Sequence, residues 1–156
     1  MFLSTETSGR SFQVPDKGLS VQAAATPRQE PGRAQHILFV DDEALVAEVT
    51  SQILEDLDYR VTVRGDGLEA LEYFRDRWPE VDLVILDMMM PRMGGKDAFL
   101  AMKRINPRLK ALIVSGFSVQ GEAQQLMDCG ALGFLQKPFR RADLARLVAH
   151  ALEAAG

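Results

Sequence analysis

The chain has 156 residues, a formal net charge of −4 and an apolar share of 47%, enough for one domain with its own core and some additional chain. The mild acidity argues against a large nucleic-acid footprint, and the single cysteine, Cys129, excludes an internal disulfide and is expected to be buried or half-buried in a helix. No apolar run reaches membrane-spanning length, and the first residues lack the features of a signal peptide, so we expect a cytoplasmic protein.

Residues 1–35 are predicted to form a disordered tail. They are rich in Ser, Thr, Gly and Gln, show no sustained hydrophobic period, and are interrupted by Pro15, Pro27 and Pro31. A segment of this composition cannot bury enough apolar surface to offset the entropy of ordering it. We therefore place the folded domain at residues 36–154.

From His36 onwards, short apolar runs alternate with helical patterns. The predicted strands are residues 36–40, 60–64, 83–86, 109–114 and 131–136. The first helix carries Val46, Val49, Ile53 and Leu57 on one face, at spacings of three and four residues, which is typical of a helix that packs on a core. Four more helical patterns follow, one after each later strand.

This alternation predicts a doubly wound α/β fold, in which helices cover both faces of a parallel sheet. The run from Leu83 to Leu86 is apolar throughout, as in a central strand that is buried on both faces. Residues 60–64 alternate charged and apolar side chains, as in an edge strand. Both features fit a flavodoxin-like sheet of five strands in the order 2-1-3-4-5, with five helices.

Polar side chains follow four of the predicted strands. Asp41 and Asp42 follow the first strand, and Asp87, Ser115 and Lys137 follow the third, fourth and fifth. In the order 2-1-3-4-5 the carboxyl ends of these strands are neighbours, so the side chains converge on one crevice. Three carboxylates so close together need a cation. An oxygen-only ligand set without clustered His or Cys indicates Mg²⁺ rather than zinc.

The same crevice is suited to phosphoryl transfer. Ser115 and Lys137 can hold phosphoryl oxygens by a hydrogen bond and by charge. Asp87 can act as the nucleophile and form an acyl phosphate, while the metal and Lys137 neutralise transition-state charge. An aspartate at a strand end can also simply start a turn, but the polar side chains around Asp87 favour a phosphoacceptor.

From residue 36 to the last helix, the chain resembles the receiver domain of two-component response regulators. Four segments carry the resemblance, in order and on the expected elements: Asp41-Asp42, the run Asp87 to Gly95, Ser115-Gly116, and the run Phe134 to Phe139. The resemblance implies a signalling module of a phosphorelay. Such a module catalyses its own aspartyl phosphorylation and dephosphorylation, and no separate substrate is expected.

The resemblance also implies roles for the crevice residues. Asp87 is the expected phosphoacceptor, with Lys137 as the family's lysine. Asp42 is the expected direct Mg²⁺ ligand, Asp41 acts on the metal through water, and Asp87 completes the carboxylate set. Met89 is expected to lend its backbone carbonyl to the metal.

A switch is implied by the remaining positions. Ser115 takes the place of the family's hydroxyl residue and Phe134 that of its switch aromatic, and Lys137–Pro138 is a candidate cis peptide bond. A phosphoryl group on Asp87 is expected to draw the Ser115 hydroxyl inward, so that Phe134 turns and changes the surface of the fourth helix, fifth strand and fifth helix.

The expected partners follow from the same resemblance. They are a histidine kinase or histidine phosphotransfer protein as phosphodonor, a downstream protein target, and a second copy of the chain through the switch surface. Neither nucleic acid nor a membrane is an expected partner.

Other function classes fit the sequence less well. A phosphatase of the haloacid-dehalogenase type needs a second Asp where this chain has Met89, and a nucleotide-binding module needs a Gly-rich loop after the first strand. A transcription factor of the same family needs an output domain, and the chain ends after the fifth helix. A receiver of a hybrid histidine kinase, acting as an intramolecular regulator or phosphate sink, stays open, because residues 9–15 faintly resemble a strand of a kinase ATP-binding domain.

Three further groups of side chains receive structural interpretations. The methionines 88–90 are expected to pack, because no His or Cys lies beside them. His36 and His150 stand at the ends of elements and are expected to be solvated or capping. A mildly basic patch on the last helix is interpreted as a solvated face, with an acidic partner as the alternative; it comprises Arg140, Arg141 and Arg146.

Overall fold

The computed structural model describes residues 33–116 and 120–154. The predicted tail therefore lies almost wholly outside the described residues. Ala34–Gly156 form one compact unit, and the domain boundaries at residues 36 and 154 stay a prediction. Within the described ranges, no helix is both long and apolar enough to cross a bilayer.

Five parallel strands form one sheet in the order β2-β1-β3-β4-β5. Their bounds are β1 His36–Val40, β2 Arg60–Arg64, β3 Leu83–Asp87, β4 Ala111–Ser115 and β5 Gly133–Gln136. The predicted flavodoxin-like fold and strand order are confirmed. The last two strands begin two residues later than predicted, whereas β1 and β2 match.

Five α-helices connect and follow the strands. Their bounds are α1 Ala44–Asp56, α2 Gly67–Arg77, α3 Gly95–Ile105, α4 Gln120–Asp128 and α5 Arg141–Glu153, and a short 3₁₀ turn, Trp78–Glu80, follows α2. Asn106 caps the end of α3 in an extended conformation, as the following proline requires. Gly130, just beyond α4, has φ +111°, which fits its predicted place after a helix.

Two apolar layers hold the helices on the sheet, because successive strand side chains point to opposite faces. One layer packs β-strand residues such as Leu38 and Leu86 against Phe74 of α2 and Phe99 of α3. The other packs Ile37, Phe39 and Ile85 against Leu54 of α1 and Leu144 and Val148 of α5. All five side chains of β3 are buried, whereas β2 is half-buried along the edge.

Helix α1 does not bury the apolar stripe that its sequence displays. Its buried residues are Ala47, Thr50 and Leu54, while Val49 is 52% exposed. The prediction that the stripe packs on the core is therefore wrong for Val49. Ala47, Thr50 and Leu54 form the buried face of the helix, so Val49 is left at the side of that face.

The amino-end rim of the sheet contains a cluster of polar residues joined by hydrogen bonds, which we call the amino-end network (His36, Thr62, Tyr73, Glu80 and Asp82). His36 is 0% exposed. Its backbone N–H donates to the Asp82 carboxylate at 2.8 Å, and its Nδ1 lies 3.0 Å from the Glu80 carbonyl oxygen. Its Nε2 lies 2.8 Å from the Thr62 hydroxyl, which contacts the Tyr73 hydroxyl at 3.4 Å.

The carbonyl contact assigns the proton on Nδ1. A carbonyl oxygen only accepts, so Nδ1–H donates to Glu80, and in the neutral ring Nε2 then accepts from the Thr62 hydroxyl. Burial lowers the pKa of His36 despite the opposing effect of the Glu80 carbonyl. The prediction of a solvated or capping histidine is therefore wrong, since the ring is a buried structural group, whereas His150 is exposed.

Two other sequence-based expectations concern Cys129 and the basic patch on α5. Cys129 is exposed and lies just beyond the end of α4, so the prediction of a buried or half-buried thiol in a helix is wrong. The basic patch on α5 is neutralised locally: Arg140 and Arg146 contact Asp143, and Arg141 pairs with Asp56 of α1.

Candidate functional site

The carboxyl-end rim of the sheet contains an acidic crevice (Asp41, Glu43, Asp87 and Lys137). Asp41 follows β1, Asp87 ends β3 and Lys137 follows β5, so the parallel topology brings together residues that are up to 96 positions apart (41 to 137). The Lys137 ammonium lies 2.7 Å from Asp41 Oδ2, 2.8 Å from Glu43 Oε1 and 3.3 Å from Asp87 Oδ2. One cation thus links three carboxylates.

Asp41 is the most completely buried member of the crevice, at 2% exposure. Its Oδ1 accepts a hydrogen bond from the Glu43 backbone N–H at 2.8 Å. Its Oδ2 is buried and has no hydrogen bond of favourable geometry, although it is ion-paired with Lys137. A buried oxygen of this kind is costly unless a cation balances it.

Asp87 is shifted towards its neutral form. Burial and the charge of Asp41 raise its pKa to about 6, although Lys137 and the Met89 backbone N–H act in the opposite direction. The Met89 N–H lies 3.4 Å from Asp87 Oδ1. Asp87 is therefore mostly ionised at neutral pH but easily protonated, as repulsion between close carboxylates predicts.

Lys137 is held in its charged form. Burial opposes the charge, but the close contacts of Lys137 with the carboxylates of Asp41 and Glu43 and the charge of Asp87 outweigh it and raise the pKa of the ammonium. The Lys137–Pro138 peptide bond is cis, as predicted. The lysine is thus a permanent positive charge beside Asp87.

The structure groups the acidic residues differently from the sequence-based proposal. Carboxylate oxygens of Asp41, Glu43 and Asp87 all lie within 4.8 Å of one another. Asp42 is exposed and is not in this group, and its role as a direct metal ligand stays a prediction. Sequence reasoning missed Glu43, although it directly follows the aspartate pair and could have been recognised as a third acidic residue at the same strand end.

The donor set fits a hard divalent cation. Every candidate ligand atom is an oxygen, and the buried Asp41 Oδ2 lacks the hydrogen bond that such an atom normally has. Oxygen donors with one or two carboxylates are the ligands that Mg²⁺ prefers. Met88 is buried and Met90 packs against the core layer of α2 and α3, as predicted, whereas Met89 is 56% exposed, so the prediction that it packs is wrong.

The predicted switch residues lie next to the crevice. Ser115 ends β4 and is 0% exposed. Phe134 lies on β5, where it pairs with Ile113, and the register partner of Ser115 is Gln136. The Phe134 ring is partly buried against the core layer of α2 and α3. Both residues are therefore on the adjacent strands that the prediction requires, and their switching stays a prediction.

An apolar groove of about 560 Å³ opens beside the crevice. Its lining includes Glu43, Lys137 and Gly116. The other lining residues belong to α1 and to the segment after β5: Leu45, Val46, Val49, Thr50, Ile53, Pro138 and Phe139. Leu45 is 72% exposed, so the groove presents an apolar surface that is continuous with the acidic side chains.

Comparison with known families gives a match that covers most of the domain. The response regulator receiver domain family model matches residues 37–149. The chain is 34% identical over 117 residues to the sensor kinase CckA of Brucella abortus, covering 75% of this chain and 12% of that protein. It is 35% identical over 126 residues to the two-component response regulator ORR5 of Oryza sativa subsp. japonica, covering 79% of this chain and 92% of that protein.

The relatives differ in length. The chain spans 52% of the transcriptional regulatory protein SphR of Synechococcus elongatus and 55% of PdtaR of Mycobacterium tuberculosis. Similar receiver sequences are therefore found in proteins of different overall organisation, and the activities of those whole proteins do not transfer to this chain.

Solved structures agree with the fold. A receiver domain from Clostridium thermocellum superposes with a TM-score of 0.73 at 30% identity, covering 76% of this chain and 94% of that one. The receiver domain of a sensor histidine kinase from Pseudomonas aeruginosa PAO1 has a TM-score of 0.70 at 26% identity, covering 78% of this chain and 100% of that one. That receiver has a magnesium ion coordinated in its active site cleft.

Proposed function

Because this chain belongs to the response regulator receiver domain family of two-component systems, we propose that it accepts a phosphoryl group on Asp87 from a phosphohistidine. The phosphodonor is a histidine kinase or a histidine phosphotransfer protein. The observation that carries the proposal is the Lys137 ammonium, which bridges buried Asp41 and the end of β3 at Asp87. A cation held at this point is placed to bind the oxygens of a phosphoryl group attached to Asp87.

The transfer uses the carboxylate of Asp87 as nucleophile. The P–N bond of the phosphohistidine breaks as a P–O bond to Asp87 forms, and the imidazole leaves with the electron pair and takes up a proton. With a pKa of about 6, Asp87 is mostly the ionised nucleophile at neutral pH. Lys137 neutralises charge on the phosphoryl oxygens.

Asp41 and Asp87 would hold a magnesium ion in the crevice, with Asp42, Glu43 and the Met89 carbonyl as the remaining candidates. When bound, Mg²⁺ would neutralise the phosphoryl oxygens and offset the repulsion between the carboxylates. This role is supported by the buried Asp41 Oδ2, which is ion-paired with Lys137 but has no hydrogen bond of favourable geometry. Later hydrolysis of the acyl phosphate would return the domain to its starting state, so no separate substrate is part of the proposal.

Labelling of Asp87 tests the proposal directly. Wild-type protein and Asp87→Asn are incubated with a small phosphoramidate donor, with Mg²⁺ or with a chelator, and intact mass is measured. Wild type with Mg²⁺ should gain one phosphoryl group, and Asp87→Asn and the chelated sample should not. Asp76→Asn, an exposed carboxylate on α2, is the matched control and should label normally. Labelling of Asp87→Asn at the wild-type level contradicts the assignment.

The apolar groove beside the crevice is proposed as the docking surface for the phosphodonor protein. The argument is continuity, since Glu43 and Lys137 belong to both the groove and the crevice. A donor seated there brings its histidine to the mouth of the crevice. Leu45→Glu is expected to slow transfer from a phosphorylated kinase while leaving labelling by the small phosphoramidate unchanged.

Leu68→Glu provides the control for the groove, because Leu68 is a 36% exposed leucine on α2, which packs on the other face of the sheet. It should leave both reactions unchanged. Equal loss with the small donor and the kinase after Leu45→Glu would show damage to the crevice itself and contradict the docking role.

The output of the domain is proposed to be a change at the surface of α4, β5 and α5, driven by Ser115 and Phe134. The support is that both residues lie on adjacent strands, with Phe134 only partly buried. NMR spectra with and without beryllofluoride and Mg²⁺ test this step. Shifts confined to the crevice, without change at Phe134 or α5, would rule out the coupling.

A receiver of a hybrid histidine kinase is the second candidate. It is favoured by the match to a sensor kinase of which this chain covers only 12%. The chemistry at Asp87 is the same in both cases, and the two differ in whether the phosphodonor is a separate protein. A phosphotransfer profile against the organism's purified kinases discriminates them, because an independent receiver has a kinetically preferred kinase among them.

A further inference from the structure

The loop between β3 and α3, residues 88–94, is fastened to helix α2 by an ion pair. The Arg92 Nε donates to Asp66 Oδ2 at 2.7 Å, and Arg92 Nη2 also contacts Glu69 at 3.4 Å. Asp66 is 5% exposed. Its other oxygen accepts the Glu69 backbone N–H at 3.0 Å and so caps α2. One carboxylate therefore begins a helix and holds the loop that follows the phosphoacceptor.

The backbone of the loop is strained at the same residue. Arg92 has φ +64°, and the Met93 N–H donates to the Pro91 carbonyl at 2.7 Å, which together are the pattern of a tight γ-turn. A non-glycine residue in this region is strained and persists only where surrounding contacts hold it. The ion pair to Asp66 is such a contact.

Backbone contacts fasten the loop at two further points. The Gly67 N–H donates to the Met93 carbonyl at 3.1 Å, and the Gly95 N–H donates to the Met88 carbonyl at 3.0 Å. A Cβ on Gly67 would collide with the Met93 carbonyl, so α2 approaches the loop as closely as a glycine permits. Only residues 89–92 lie between Met88 and Met93, and Arg92 is the last of them.

We infer that Arg92 is a positioning residue, which through Asp66 holds the β3–α3 loop so that the Met89 peptide faces the carboxylate of Asp87. The Met89 N–H already lies 3.4 Å from Asp87 Oδ1, and the carbonyl of the same residue is the predicted metal ligand. This inference rests on the proposed function, because it assigns Arg92 to the magnesium site proposed there. It makes helix α2, which contributes no side chain to the crevice, part of the support of that site.

A double-mutant cycle on magnesium affinity tests the inference. Arg92→Ala removes the ion pair without relieving the backbone strain. Asp66→Asn removes it while keeping an oxygen that can cap α2, since Asn caps as well as Asp. Each variant is expected to weaken the Kd for Mg²⁺, measured by calorimetry, about three- to fivefold, as an ion pair with one exposed partner allows. The double variant should be no weaker than either single one.

Two additional measurements separate positioning from general stability. Amide exchange at Gly67 should accelerate by a similar factor in Arg92→Ala and in Asp66→Asn. Arg77→Ala removes an ion pair to Glu80 at the other end of α2, where the arginine is 53% exposed against 54% for Arg92. This control should change neither the Kd nor the exchange at Gly67.

The outcomes discriminate between the two proposals. A wild-type protein that binds Mg²⁺, with an unchanged Kd in Arg92→Ala, would overturn the positioning role alone. So would fully additive losses in the double variant, because they would show that the two side chains act independently. A wild-type protein without Mg²⁺ binding would overturn the proposed function as well.

Discussion

The two ends of the sheet differ in how their buried polar groups are balanced: hydrogen bonds satisfy them at the amino end, whereas like charges are crowded together at the carboxyl end. In the amino-end network, His36 uses its backbone N–H and both ring nitrogens, each with a partner at 2.8 to 3.0 Å. In the acidic crevice, three carboxylates share one lysine, Asp41 Oδ2 has no hydrogen bond, and Asp87 has a raised pKa. The first arrangement is satisfied by the protein alone, whereas the second would be completed by the cation and the phosphoryl group of the proposed function.

The comparison shows which electrostatic feature indicates a functional site in this protein. Both rims contain buried ionisable groups, so burial alone does not distinguish them. What distinguishes the crevice is the excess of like charge over available partners, which a folded protein tolerates where binding compensates it. The following predictions test whether removing polar groups has opposite effects at the two rims.

The largest effect on the free energy of unfolding is expected when the crevice loses the positive charge of Lys137. Lys137→Met leaves Asp41 and Asp87 buried without their counter-charge and should lower the free energy of unfolding by about 3–5 kcal/mol, as the loss of one partner of a buried ion pair does. Urea unfolding at pH 7 in a chelator measures it, and added Mg²⁺ should restore part of the loss. A variant as stable as wild type in the chelator would show that the lysine does not balance the carboxylates.

Removal of a carboxylate from the crevice should instead raise the free energy of unfolding at pH 7. The pKa of Asp87 rises from 3.8 to about 6 on folding, so the wild-type protein loses stability as the pH rises from about 4 through 6. Asp87→Asn has no such loss and should be more stable at pH 7 by up to about 3 kcal/mol. Urea unfolding from pH 4 to 8 in a chelator should show this advantage disappear near pH 4. An advantage independent of pH would argue against the raised pKa.

Removal of a polar group from the amino-end network should only destabilise. Thr62→Val keeps the shape of the side chain but leaves His36 Nε2 without its partner, which should cost about 1–2 kcal/mol. Phosphoryl labelling of Asp87 should stay at the wild-type level, because the network lies at the other end of the sheet. An increase in the free energy of unfolding would contradict the comparison, because it would show that the polar groups of the amino-end network destabilise the protein as those of the crevice do.

The smallest expected effect is the pH dependence that His36 contributes. Burial lowers its pKa from the ordinary value of 6.5, so its contribution to stability is complete above pH 6.5 and is lost as the pH falls below it. This sign is opposite to that of Asp87. In an Asp87→Asn background, unfolding curves from pH 7 to 5 should therefore show a loss of stability that is absent after the further substitution His36→Gln. The same loss in both proteins would assign it to other groups.

Much of the fold and most of the candidate site could be predicted from local sequence. The strand order followed from one fully apolar run and one alternating run, and Asp41, Asp87, Ser115 and Lys137 followed from their positions at strand ends. The misassigned residues have a common cause. The burial of His36, the exposure of Cys129 and Val49, and the grouping of Glu43 with Asp41 and Asp87 depend on which neighbours the folded chain supplies, and periodicity carries no information about those neighbours.

The sequence by itself determined the α/β alternation and the set of residues at the carboxyl ends of the strands, because side-chain period and strand length are local properties. The tertiary structure decided which of those residues share a cation, since a distance such as the 2.8 Å between Lys137 and Glu43 joins positions 94 residues apart. It also decided that Arg92 meets Asp66 across 26 residues. Contacts of that kind are set by how helices pack on the sheet, and therefore only the folded chain specifies them.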